Sequence, residues 1–148
     1  MTIHASAVVF GEAGILIRGP SGAGKSSLAM SLLSLAAQVG RFARLVGDDR
    51  IELSRHGGRL VARGHAAIQG MIELRGQGIV RLPYEPAVVL RLVVDLLPLE
   101  QLARYPADTE LNVEVCGAKL QRLALPESRS SYDCACLVMA RLQQDGTI

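Results

Sequence analysis

The octet Gly19-Pro20-Ser21-Gly22-Ala23-Gly24-Lys25-Ser26 satisfies the pattern G-x-x-x-x-G-K-[ST] at every position. Residues of these types at this spacing make a phosphate cradle. Glycines let successive backbone N–H groups turn toward an anion, and a helix starting behind the loop adds positive partial charge. The lysine ammonium reaches the β- and γ-phosphates, and the final hydroxyl ligates Mg²⁺. Gly19 to Ser26, with Ser27 following in the helix, are therefore the expected nucleotide-binding residues, with ATP and Mg²⁺ as cofactors. Lysine is otherwise almost absent: Lys25 and Lys119 are the only two in the chain. Keeping lysine at position 25 in a chain that otherwise uses arginine matches a need for a compact point charge.

Other candidates follow the loop. Leu45-Val46-Gly47-Asp48-Asp49 puts two adjacent carboxylates at the tip of a strand, near the helix that carries Ser26. One can hold metal and the other take a proton, provided the backbone turns, because neighbours on a strand point to opposite faces. A solvated Asp-Asp turn before Arg50 is the bland alternative. Glu73-Leu74-Arg75-Gly76-Gln77-Gly78-Ile79 joins a carboxylate and a guanidinium to a flexible turn, suited either to covering a phosphate site or to an ordinary surface loop. His4 near the terminus and Arg104 in Leu102-Ala103-Arg104-Tyr105-Pro106 read, taken alone, as a solvated histidine and an end-of-helix charge.

These residues need elements to position them. Ala7 to Phe10 and Gly14 to Arg18 are β-rich runs joined by Gly11-Glu12-Ala13, a hairpin that feeds the phosphate loop. Ser26 to Val39 predicts a helix apolar on nearly every side, hence packed on a sheet. Leu45-Val46 resumes the strand pattern, and Ile51 to Leu53 with Leu60 to Ala62 form a second hairpin through His56-Gly57-Gly58. Ala87 to Leu97, interrupted only by Arg91 and Asp95, is the near-continuous apolar run of a strand covered on both faces, and Pro98 ends it. Leu99 to Arg104 predicts a short helix, Glu110 to Val115 a strand, and Tyr132 to Gln144 a closing amphipathic helix. No internal repeat or long linker divides the chain, so residues 1–148 are expected to form one α/β domain.

Composition removes other classes. A chain of 148 residues that is 49% hydrophobic can bury a core. Its longest uncharged stretch in the first half, Ser26 to Gly40, is too short and polar to span a membrane, and Met1-Thr2-Ile3-His4-Ala5 is no signal peptide. The net charge of +2 comes from arginines spread along the chain, which argues against a nucleic-acid stripe. Cys116, Cys134 and Cys136 fit neither a disulfide framework nor a zinc site, and reduced thiols imply a cytoplasmic protein. Neither H-R-D nor D-F-G is present, which excludes eukaryotic-type protein kinase chemistry.

His4 to Val9, Gly19 to Ser26, Leu45 to Arg50 and Ile72 to Ile79 occur in an order and spacing that resemble the catalytic domain of HPr kinase/phosphorylase, over about the first two thirds of the chain. The resemblance implies a P-loop kinase fold, similar in its core to PEP carboxykinase and built on a mixed central sheet. It implies ATP-dependent phosphorylation of a serine on an HPr-like phosphocarrier protein, in a short form limited to the catalytic domain. By the same resemblance Lys25 and the loop amides bind phosphate, Ser26 and Glu73 belong to the magnesium site, and His4 is the active-site histidine. Asp48 is expected as the base, Asp49 as its metal-linked neighbour, and Arg104 as the charge stabiliser at the transferred phosphoryl group. The loop that the family ties to its phosphorylase activity falls at Leu123 to Ser131, where Pro126 and Arg129 are its only echoes, so the reverse reaction is expected to be weak. Homo-oligomeric assembly is also implied, although the closing helix is short. Two other classes stay open: a small-molecule P-loop kinase, and an ATP-sensing module without turnover.

Overall fold

The computed structural model describes residues 1–147. Its strands are Thr2–Ile3 (β1), Ser6–Phe10 (β2), Ala13–Arg18 (β3), Ala43–Gly47 (β4), Ile51–His56 (β5), Arg59–Gly64 (β6), Met71–Leu74 (β7), Gly78–Arg81 (β8), Ala87–Leu97 (β9), Asn112–Val115 (β10) and Ala118–Pro126 (β11). Two α-helices, Lys25–Gln38 (α1) and Ser131–Gln144 (α2), complete the architecture.

The order β1-β5-β6-β9-β3-β2-β4 forms one mixed, curled sheet, with β11 joined to β9 and β10 to β11. Its parallel pairs are β3 with β9 and β9 with β11. The alternation of β3 and β9 explains why both read as almost wholly apolar. Ile15, Ile17, Leu92, Val94 and Leu96 face a core shared with α1 and α2. Leu16 and Val93 face a second core closed by Ile51, Leu53, Leu60, Ala62 and Val115. Where a strand is covered on both faces its side chains do not reach water and the alternation disappears; Arg91 is the exposed exception in β9. The sheet itself supplies the second cover, by curling β5 and β6 over the face opposite the helices.

In α1 the buried Leu28, Ala29, Leu32, Leu35 and Ala36 recur at helical spacing and rest against β2, β4 and α2. In α2, Cys134, Ala135, Val138 and Leu142 form the matching stripe, and Ser130 Oγ caps the helix by accepting from the Asp133 amide at 3.1 Å. Among the described residues no helix is long and apolar enough to cross a membrane, and the three cysteines are free thiols.

Four expectations change. The helix expected over Leu99 to Arg104 is a single 3-10 turn, Leu99–Gln101, because Leu102 already returns to an extended conformation. The strand expected from Glu110 begins at Asn112, after a 3-10 turn at Asp108–Glu110. The segment Leu123 to Ser131 is a loop only from residue 127, since Leu123 to Pro126 pair with Val94 to Leu97 of β9. The turn expected around Glu73 to Ile79 is the tip of a two-stranded hairpin, β7 with β8.

Candidate active site

Strand β3 ends at Arg18, and the next residues curl back under the start of α1. Gly22 (φ 83°) and Gly24 (φ 102°) hold the left-handed conformations this path requires, which residues with a Cβ seldom adopt. Gly24 is the N-cap of α1 and offers no side chain to its first amides, and the first turn holds no acidic residue. The helix start therefore keeps its donors and positive partial charge free for an outside anion. Lys25 is buried, and its Nζ donates to the carbonyls of Gly19 (2.8 Å) and Pro20 (3.1 Å). Among the described residues no carboxylate pairs with it. Its charge is thus held in place by its own loop and remains available.

At the end of β4 the chain makes a tight three-residue turn. Asp49 has φ 71°, and the Arg50 amide closes on the Asp48 carbonyl at 2.9 Å. Because of this turn both carboxylates line one cavity, where an extended strand would have sent them apart. Their surroundings differ. Asp48 is buried and accepts hydrogen bonds from Ser6 Oγ (2.5 Å to Oδ1) and from Ser26 Oγ, which lies 3.0 Å from Oδ1 and 2.9 Å from Oδ2. The Asp49 side chain is 62% exposed and is paired through Oδ1 with His4 Nε2 at 2.5 Å. The contacts run opposite to the expected order: the carboxylate joined to the metal-binding candidate Ser26 is Asp48, and the accessible one is Asp49.

The cavity has a volume of about 510 Å³. Its polar wall holds Ser21, Gly22, Gly24, Lys25, Ser26, Ser27, Asp48, Asp49 and His4. The β7–β8 hairpin forms the opposite wall with Ile72, Glu73, Leu74, Arg75 and Ile79. Within β7, Ile72 is buried and its neighbour Glu73 exposed, and both line the cavity. Gly19, Pro20 and Ala23 are not among the residues that line the cavity; they shape the loop itself, the Ala23 amide donating to the Pro20 carbonyl at 3.0 Å and the Gly19 and Pro20 carbonyls anchoring Lys25. Arg104 is not brought to the cavity. It lies in the exposed segment after β9, with its guanidinium 5.9 Å from the centre of the Tyr105 ring.

The apolar residues Ile68 and Met71 also line the cavity, and Ser6, which does not line it, bonds to Asp48 from β2. Ser6 lies inside the His4 to Val9 run, but a serine in an apolar strand signals no role by itself, and only the pairing of β2 with β4 brings it to Asp48. Among the described residues no three His, Cys, Asp or Glu side chains converge as a ready-made metal site. The donor set beside Lys25, a hydroxyl with a carboxylate behind it, fits a hard cation such as Mg²⁺, which keeps several waters and takes other ligands from substrate phosphates.

Beside Arg18, β3 is locked to the rest of the sheet by an ion cluster. Asp95, buried in β9, accepts from Arg18 Nε and Nη2 at 2.7 and 2.8 Å and from Arg122 Nε at 2.6 Å. Burial alone would raise the pKa of this carboxyl, but the hydrogen bonds from Arg18 and then Arg122 outweigh it and hold it below its ordinary value. The same hydrogen bond raises the pKa of Arg18 against its partial burial.

The chain is similar to known proteins in sequence and in fold. The family model described as HPr Serine kinase C-terminal domain matches residues 1–128. The HPr kinase/phosphorylase of Mycoplasma genitalium is 31% identical over 132 residues, covering 81% of this chain and 40% of that protein. The HPr kinase/phosphorylase of Neisseria meningitidis serogroup C is 34% identical over 142 residues, covering 80% and 42%. The chain thus spans about two fifths of the length of the curated relatives it matches. The solved structure of the Hpr(Ser) kinase/phosphatase from Coxiella burnetii superposes with a TM-score of 0.77 at 25% identity, over 98% of this chain and 99% of that one.

Proposed function

Because the chain belongs to the HPr serine kinase C-terminal domain family, we propose that it transfers the γ-phosphoryl group of ATP to a serine hydroxyl on an HPr-like phosphocarrier protein in the cytoplasm, with Mg²⁺ as cofactor. One observation carries this reading: the turn at Asp49 brings an accessible carboxylate, braced by His4, into the same cavity as the free phosphate loop.

The division of labour follows from burial. Asp48 is the metal-linked carboxylate, since it is enclosed and bonded to the Ser26 hydroxyl. Asp49 is the base. His4 occupies Oδ1, and Oδ2 has no other partner among the described residues, so a proton can be accepted there. In the transfer, Asp49 takes the proton of the attacking serine as the new P–O bond forms and the bond from the γ-phosphorus to the β-phosphate oxygen breaks, leaving ADP. Lys25 and the amides at the start of α1 stabilise charge on the phosphoryl oxygens without having to reorganise. Mg²⁺, held by Ser26 and Asp48 with Glu73 contributing from the hairpin, would supply further neutralisation of that charge. An exposed base suits a hydroxyl delivered on the surface of a protein, whereas a small substrate would require enclosure. Neither Pro126 nor Arg129 lines the cavity, which supports forward transfer over reversal with inorganic phosphate.

Transfer of labelled phosphate from ATP to serine of a purified HPr-like protein tests the activity, and paired variants test the roles. Asp49→Asn is expected to lose transfer while keeping Mg²⁺-dependent ATP binding. Asp48→Asn is expected to need more Mg²⁺ for binding itself. Wild-type transfer by Asp49→Asn would overturn its role as base, and ATP binding without any transfer to carrier would favour a sensing module.

A further inference from the structure

We propose that Ser6 is a positioning residue for the metal-linked carboxylate, holding Asp48 in the orientation that serves Ser26 and the cation beside it. The inference rests on the site reading above. Ser6 is fully buried, and its neighbours Ala5, Ala7 and Val8 are fully buried as well. A hydroxyl in such a place costs stability unless it is hydrogen-bonded, so an alanine would serve the packing equally well. The one proton of this hydroxyl goes to Asp48 Oδ1 at 2.5 Å, 42 residues away in sequence.

Strand pairing explains the meeting. Ala7 pairs with Gly47 but Val8 pairs with Leu45, so Val46 is an extra residue on β4 and the register shifts there. Such a bulge bends its strand and re-aims the residues beside it. Here it aligns Ser6 with the turn that begins at Asp48. The consequence for the carboxylate is an asymmetry. Oδ1 lies within hydrogen-bonding distance of both Ser6 and Ser26, whereas Oδ2 has only Ser26. Rotation of a carboxylate about its last bond is otherwise soft. With Ser6 in place, Oδ1 is committed and Oδ2 keeps the spare acceptor capacity, facing the hydroxyl that a cation would share.

The test titrates ATP into the whole chain by calorimetry, in a series of Mg²⁺ concentrations and in chelator, for wild type, Ser6→Ala, Asp48→Asn and the double variant. Hydrogen-bond partners behind a metal ligand commonly control metal affinity by tenfold or more. Ser6→Ala should therefore raise the Mg²⁺ needed for half-maximal binding about tenfold, and leave ATP binding in chelator within about twofold of wild type. In the Asp48→Asn background the same change should add less than about twofold, since its effect runs through that carboxylate. Wild-type Mg²⁺ dependence in Ser6→Ala, an equal loss of binding in chelator, or an undiminished effect in the Asp48→Asn background would each overturn this inference alone. Absence of Mg²⁺-dependent ATP binding in the wild-type chain would overturn the site reading and this inference with it.

Discussion

Replacing Asp95 by asparagine removes the negative charge that joins three parallel strands at the edge of the phosphate loop. The carboxylate accepts three charge-assisted hydrogen bonds, two from Arg18 and one from Arg122. Its side chain is 9% exposed. Removing one partner of a fully buried ion pair costs about 3–5 kcal/mol, because the other charge is left unpaired. The arginines here are 32% and 21% exposed and can recover part of their hydration, which brings the expected cost down to about 2–3 kcal/mol. For a chain of this size each kcal/mol moves Tm by ~2–4 °C, so thermal unfolding followed by circular dichroism should fall by about 5–10 °C at pH 7. The pH dependence carries a sign. Since the folded pKa of Asp95 is lowered, its contribution is fully present above the ordinary carboxyl pKa and fades as pH falls through the folded value. The gap in Tm between wild type and Asp95→Asn should stay constant from neutral pH down to about 5 and shrink below about 4. A gap under about 2 °C at pH 7, or one that persists unchanged in acid, refutes the claim that this charge cluster stabilises the sheet.

Lys25→Ala should lower phosphotransfer by at least about a hundredfold, and Lys25→Arg should also impair it, because a planar fork does not replace an ammonium seated on two loop carbonyls; turnover assays on both decide it. Gly14→Ala should destabilise the chain by about 1–3 kcal/mol in urea unfolding, because its Cβ would clash with the Val89 carbonyl oxygen where β3 pairs with β9. Serine-phosphorylated carrier incubated with Mg²⁺ and inorganic phosphate should release pyrophosphate at least about tenfold more slowly than forward transfer, because phosphorolysis needs a second phosphate oriented by donors of its own. Matching rates would refute that asymmetry.

Local chemistry is what a sequence carries most openly. The phosphate loop, the hairpin before it, α1 and the long apolar β9 were readable because each depends on near neighbours: glycines at positive φ, a helix start at Lys25, a period of side chains. The mixed sheet with its kinase-like core, expected from resemblance, is present. Strand β11 was not readable, since Lys119, Gln121 and Arg122 interrupt its apolar pattern and its partner β9 lies in parallel far away in sequence. The turn before it places Cys116 at φ 49° ahead of Gly117 at φ 77°, and cysteine gives no turn signal. The distinction between Asp48 and Asp49 lay further still from the sequence. Two identical residues side by side have the same local chemistry, and what separates them is burial, the hydroxyls of Ser6 and Ser26 on one and His4 on the other. Those partners arrive from β2, α1 and the segment before β2, brought together only when the sheet pairs and the chain turns at Asp49. Residue type could thus nominate the acids, but only long-range packing could set their surroundings apart, because hydrogen bonding and exposure to water are properties of neighbours that the linear order keeps apart.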